Sequence, residues 1–84
     1  MALPTKPIAL SVEQINDLNK KLATLRHDVN NNLSLIMAAS EILRRRPETA
    51  ERMLDTLSEQ PQKIAASIAH FSRELETTLG IKRH

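Results

Sequence analysis

No cysteine occurs among the 84 residues, which excludes disulfides and thiolate chemistry and suits a cytoplasmic setting. Tryptophan and tyrosine are also absent, Phe71 is the single aromatic residue and Gly80 the single glycine. Sheets draw on aromatic and β-branched residues and on glycine at their turns, so the composition predicts an all-α chain of helices joined by one turn. Long apolar runs are missing too. Nothing approaches the roughly 20 residues that span a bilayer, and Met1 to Pro7 lacks the apolar core of a signal peptide, so no membrane partner is expected. Charge of one sign is scarce: the formal net charge is +2, too small to argue for nucleic acid. The one tight basic run, Arg44-Arg45-Arg46, suits the last turn of a helix, where the dipole favours cations. His27, His70 and His84 lie far apart with no cysteine beside them, a poor ligand set, so neither metal nor cofactor is expected in this chain. A short chain has a thin core and is commonly supported by disulfides, a metal or oligomerisation. Here oligomerisation is the support that remains.

What is present is a long helical period. Residues 1–10 carry two prolines and no period and read as a flexible N-terminal lead-in. Ser11-Val12-Glu13-Gln14 fits a capping box. With Ile15 at heptad position a, the a series is Ile15, Leu22, Val29, Ile36 and Leu43, and the d series is Leu18, Leu25, Asn32, Ala39 and Arg46. All but Asn32 and Arg46 are apolar, a strong helix-packing pattern. Leu33, Leu35 and Ile42 widen the stripe, as contact with several neighbours requires. Pro47 stops this helix and suits the first turn of the next, with Glu48 and Glu51 at its positive end. The turn is therefore placed around Arg45 to Glu48.

The second helix repeats the pattern through Ala50, Leu54, Leu57, Pro61, Ile64, Ile68, Phe71 and Leu75, with Gly80 as its terminator. Pro61 removes one backbone hydrogen bond, which predicts a kink there or a break over Ser58 to Pro61. A tolerated bend and a signalling hinge are both open readings of it. Residues 11–80 thus form an antiparallel helical hairpin, and 81–84 a C-terminal tail. Each helix is about 50 Å long at 1.5 Å per residue, and a lone hairpin leaves much of its apolar face wet. Two hairpins bury it as a homodimeric four-helix bundle.

The chemistry is concentrated in Leu25-Arg26-His27-Asp28-Val29-Asn30-Asn31-Asn32-Leu33. His27 falls at position f, farthest from the seam, so it is expected to face solvent. Asn31 stands one turn on, at c, and Asp28 flanks them at g. An exposed imidazole beside a carboxylate can act as a nucleophile, because the acid fixes the tautomer and orients the ring proton.

His27-Asp28-Val29-Asn30-Asn31-Asn32-Leu33, preceded by Leu25-Arg26 and followed by Leu35, Ile36 and Glu41-Ile42-Leu43, resembles the phosphoacceptor box of two-component sensor histidine kinases. Ile64 to Arg73, with Phe71-Ser72-Arg73, is similar to the end of the second helix of the same dimerisation and histidine-phosphotransfer domain. The resemblance covers roughly residues 15–80. It implies a dimeric four-helix bundle in which His27 accepts a phosphoryl group on Nε2 and passes it to an aspartate of a response-regulator receiver domain. It also implies that Asp28 activates or orients the ring, and that Asn31 places a water for dephosphorylating the regulator.

Two departures stand out. Asn32 occupies a d position where the family often has proline or an apolar residue, and it either specifies register or falls where the bundle opens. No glycine-rich nucleotide-binding segment follows, so ATP and Mg would act only through a separate kinase domain. The chain then reads as an excised phosphoacceptor domain, a free-standing relay, or a relative that retains only dimerisation. The alternative function is a non-catalytic helical dimerisation or protein-interaction module. His70 and His84 are assigned no role.

Overall fold

The structure, a computed structural model, describes residues 6–80. Helix α1 runs Val12–Arg45, a 3-10 turn spans Pro47–Thr49, and helix α2 runs Ala50–Leu79. No strand occurs among the described residues, so the fold is an antiparallel all-α hairpin. Residues 6–10 carry neither helix nor strand. The first part of the lead-in and the whole of the tail, with His84, lie outside the described residues. No helix among the described residues is long and apolar enough to cross a membrane.

Local chemistry sets the ends. The Ser11 hydroxyl accepts from the Gln14 backbone N–H at 3.1 Å, and the Gln14 side-chain carbonyl accepts from the Ser11 N–H at 2.8 Å. Both arms of the capping box are therefore made. At the other end of α1, Arg46 leaves the helical region at φ −132°, ψ 77°, as the residue before a proline is driven to do. The turn is closed on the Arg46 carbonyl, which accepts from the Thr49 N–H at 3.0 Å and from its hydroxyl at 2.8 Å. Gly80 ends α2 in the left-handed region at φ 67°, which a residue without Cβ adopts at no steric cost.

Two sequence expectations need correction. The break over Ser58 to Pro61 does not occur, because α2 is continuous through Pro61. The proline deprives the Leu57 carbonyl of its helical donor, but Leu57 and Ile64 are both half-buried and hold the two halves of α2 to α1. The Gln62 amide also donates to the Ser58 carbonyl at 3.4 Å. The second correction concerns the stripe of α2. Gln60, outside the apolar series, is 4% exposed, whereas Leu54 and Ile68, inside it, are 54% and 48% exposed. The packed face is rotated away from the centre of the apolar stripe. In α1 the d positions turn inward, with Ala39 and Asn32 buried, while Ile15 and Leu22 of the a series stay exposed.

The hairpin measures 57 × 28 × 12 Å with a radius of gyration of 17.9 Å, against about 12 Å for a compact domain of this length. Its accessible surface is 6642 Å², where a folded monomer of this mass exposes about 5,000 Å². Ala39 is the only buried apolar residue among those described. Replacing Pro61 with alanine restores an N–H to the Leu57 carbonyl without moving the seam. Pro61→Ala should therefore raise the urea midpoint, with a gain of at most roughly 3 kcal/mol, and leave far-ultraviolet helicity unchanged.

Candidate functional site

His27 projects from the outer side of α1 with its side chain 82% exposed. Its Nδ1 lies 3.3 Å from Asp28 Oδ1, at the long end of hydrogen-bonding range. Because a carboxylate accepts only, this contact is a hydrogen bond in the tautomer that carries the proton on Nδ1, in which the Nε2 lone pair faces outward. Asn31, one turn on, is exposed on the same side of the helix, and its amide has no partner in the hairpin among the described residues. The structure thus brings His27, Asp28 and Asn31 onto one edge of α1, although only His27 and Asp28 touch. Asn32, by contrast, is buried at 8% exposure, so the seam is closed at this level.

Helical geometry separates this edge from the apolar face. At 100° per residue, Ile15, Leu22 and Leu33 lie roughly 130° round α1 from His27. In an antiparallel pair the exposed Leu54 and Ile68 of α2 fall on that same apolar side. On the opposite side a groove of about 390 Å³ runs between the helices beside the site. Its lining includes Leu25, Ala66 and Phe71, together with Asp28, His70 and Lys20. A second groove, of about 530 Å³, lies nearer the turn, where Arg45, Arg46 and Arg52 surround Ile42 and Met53. Arg45 is held there by Glu41, Nε to Oε1 at 2.9 Å.

Lys21 bridges the two helices in the register that sets these groupings. Its ammonium donates to Glu74 Oε2 of α2 at 2.8 Å and lies 2.9 Å from Asp17 one turn back on α1. The hydrogen bond from Lys21 holds the Glu74 carboxyl below the usual carboxylate range. Reciprocally, the hydrogen bonds to Glu74 and then to Asp17 raise Lys21 above an ordinary lysine. Sequence reasoning missed this clamp. Asp17 and Lys21 show the i,i+4 spacing of a helix pair, but Glu74 is 53 residues away and only the register of the hairpin brings it in. His70 was assigned no role from the sequence. It is a surface residue, as expected, but it stands across the groove wall from Asp28.

Compared with models of known protein families, with curated proteins and with solved structures, the chain matches none. The functional reading therefore rests on the residues and their geometry.

The clamp has a definite pH dependence. The part due to the lowered Glu74 is complete above its ordinary value of 4.5 and is lost as pH falls through the folded-state value. The part due to the raised Lys21 is complete below 10.5 and is lost as pH rises through its folded-state value. Glu74→Gln should have a lower urea midpoint than wild type at pH 7. That difference should shrink steadily as the pH is taken below 4.5.

Proposed function

We propose that this chain is a histidine phosphotransfer and dimerisation domain of a two-component phosphorelay, working in the cytoplasm, with His27 as the acceptor. The observation that carries the reading is the state of the His27 ring. It is 82% exposed on a continuous helix, with Nδ1 turned to Asp28 and Nε2 open to solvent. Phosphoryl transfer demands mainly positioning and charge stabilisation, and a nucleophile on a rigid helix supplies the first.

In the proposed step the Nε2 lone pair attacks the phosphorus of an aspartyl phosphate on a receiver domain. The P–O bond breaks, its electrons leave with the receiver's carboxylate, and the Nδ1 proton stays at Asp28, which stabilises the phosphoimidazole. The reverse step returns the group to the receiver. Asn31 is assigned the orientation of a water that hydrolyses the receiver's acyl phosphate. A separate ATP-binding kinase domain, with its Mg, is the alternative donor.

The dimer is part of the same proposal. Leu35, Met37 and Ile42 of α1 are exposed at scattered angles, while Val12, Ile15, Leu22 and Leu33 of α1 and Leu54 and Ile68 of α2 are also exposed apolar residues. Of these last six, all but Val12 group on the face turned away from the groove beside Asp28. A second hairpin laid on that face would complete a four-helix bundle and leave both His27 rings uncovered. One observation favours a different reading: the same apolar face would serve a non-catalytic dimerisation or protein-interaction module in which His27 is inert.

Two measurements decide. Incubated with receiver domains charged by acetyl phosphate, the protein should acquire acid-labile phosphate that is absent from His27→Ala, while that variant keeps its oligomeric state. Failure of every receiver and kinase domain tested to label His27 would leave the structural module standing. In sedimentation equilibrium the wild type should behave as twice its 9.5 kDa chain. Leu22→Glu combined with Leu33→Glu should behave as a monomer, since each puts a carboxylate where an apolar contact would be buried.

A further inference from the structure

We propose that the groove near the turn, where Arg45, Arg46 and Arg52 surround Ile42 and Met53, binds a small organic phosphate. The phosphate lies among the guanidinium groups, and the apolar part of the molecule lies against Ile42 and Met53. Ile42 is fifteen residues beyond His27, about 22 Å along α1, so this site is independent of the phosphorelay reading.

Three observations lead there. First, the cations stand where helix electrostatics does not ask for them. Arg44 and Arg45 sit in the last turn of α1, where the dipole favours a cation. Arg46, however, has already left the helical region. Arg52 is the third residue of α2, at the positive end of that helix, where an acidic residue is preferred. Second, the charge is unspent. Arg45 is bonded to Glu41, but the guanidinium groups of Arg46 and Arg52 have neither an ion pair nor a hydrogen bond among the described residues. No carboxylate lines the groove. Nor do these arginines cap α1, because the Ile42 carbonyl takes the Arg46 N–H and the Arg46 carbonyl takes the N–H and hydroxyl of Thr49.

Third, the groove suits a molecule with two unlike ends. Its volume of about 530 Å³ falls within the range of small-molecule sites. Ile42 and Met53 line the apolar part, and a thioether favours contact with an aromatic ring. Thr49 and Thr56 also line the groove, but their hydroxyls donate to the Arg46 and Arg52 carbonyls. The donors left are the guanidinium groups, whose planar forks of N–H match phosphate oxygens. With Arg45 shared with Glu41, two full positive charges remain. They match the charge of about −2 that a phosphate monoester carries at pH 7, twice that of a carboxylate. Ile42 lies about 180° round α1 from Ile15 and Leu33, so a second hairpin on that apolar face would leave the groove open.

The test uses the full chain and 1-naphthyl phosphate, whose fluorescence is read without interference because the protein has no tryptophan or tyrosine. Its anisotropy should rise saturably with protein concentration. Inorganic phosphate, which lacks the apolar part, and 1-naphthol, which lacks the charge, should each bind at least tenfold more weakly. Arg46→Gln and Arg52→Gln should each weaken binding of 1-naphthyl phosphate about tenfold or more, the loss of a charge-assisted contact. Arg44→Gln, the same charge change outside the groove lining, should leave it within twofold of wild type. Glutamine is as good a helix former as arginine, and unchanged far-ultraviolet circular dichroism separates a lost contact from a damaged hairpin. Equal weakening by Arg44→Gln would reveal only a general attraction to charge and overturn the site, as would the absence of saturable binding to the wild type. Inorganic phosphate binding as tightly as 1-naphthyl phosphate would overturn the apolar half. Vesicles of phosphatidic acid in phosphatidylcholine carry the same headgroup. Capture of the protein on them without binding of free 1-naphthyl phosphate would assign the arginines to a lipid surface and overturn the small-molecule site.

Discussion

Everything in this hairpin follows from having a single helix–helix contact. A helix with an apolar stripe wider than one neighbour can cover must choose which part of the stripe to bury. Here α1 turns its d positions inward and leaves Ile15 and Leu22 outside, while α2 turns Gln60 inward and leaves Leu54 and Ile68 outside. The outcome is a seam with one buried apolar residue, Ala39, and with the amides of Asn32 and Gln60 enclosed beside it. The Gln60 carbonyl oxygen has no hydrogen-bond partner, and an enclosed acceptor in that state costs about 1–3 kcal/mol. A seam of this composition is weak support for helices of such length. The surface in excess of a compact monomer is the other face of the same fact.

Across this weak seam the Lys21 clamp is the ion pair that bridges the two helices. It joins positions 53 residues apart, between the site and the open end of the hairpin, where no turn restrains the helices. Sliding one helix by a turn would carry Glu74 about 5.4 Å from Lys21 and would draw Ala66 and Phe71 out of level with Leu25 and Asp28. The ion pair and the groove beside His27 are consequently one feature. Screening by solvent keeps such an exposed pair modest in energy, so its importance is positional.

Much of this was legible in the residues. Ser11 to Gln14 announced the first cap, Pro47 the turn, and Gly80 the last cap, because each depends on one side chain and its neighbours along the chain. The outward direction of His27 was also legible, since a position f in a heptad is set by counting from Ile15. What could not be read was anything depending on how α2 is rotated. Its apolar series counts Leu54 and Ile68 as core equally with Leu57, and periodicity cannot tell which flank of a wide stripe meets the single available neighbour. Gln60 inside, Leu54 outside, the Glu74 partner of Lys21 and the place of His70 at the groove all follow from that one rotation. Of the two expectations at Pro61, a kink or a break, the break is absent for a related reason. The proline's local cost argues for a break, but packing on both sides of it, through Leu57 and Ile64, lies outside any local argument.

The division of faces also bears on why the candidate chemistry sits where it does. Under the proposed phosphotransfer, the ring has to reach another protein and cannot share a helix face with a surface that is consumed by packing. On α1, Ile15, Leu22 and Leu33 lie roughly 130° from the His27 edge, so covering them does not cover the ring, while Leu35, Met37 and Ile42 are exposed at other angles. Asp28 lies on the other flank of His27, about 100° round toward the seam, where it touches Nδ1 and borders the groove. A carboxylate placed farther out would meet the incoming phosphate directly and repel it. One placed farther in would be desolvated against Leu25 and Asn32 and would lose its charge. The flank position avoids both, which gives a physical reason for the acid to follow the histidine at the next residue, where the helix turns it inward by a little under a third of a revolution.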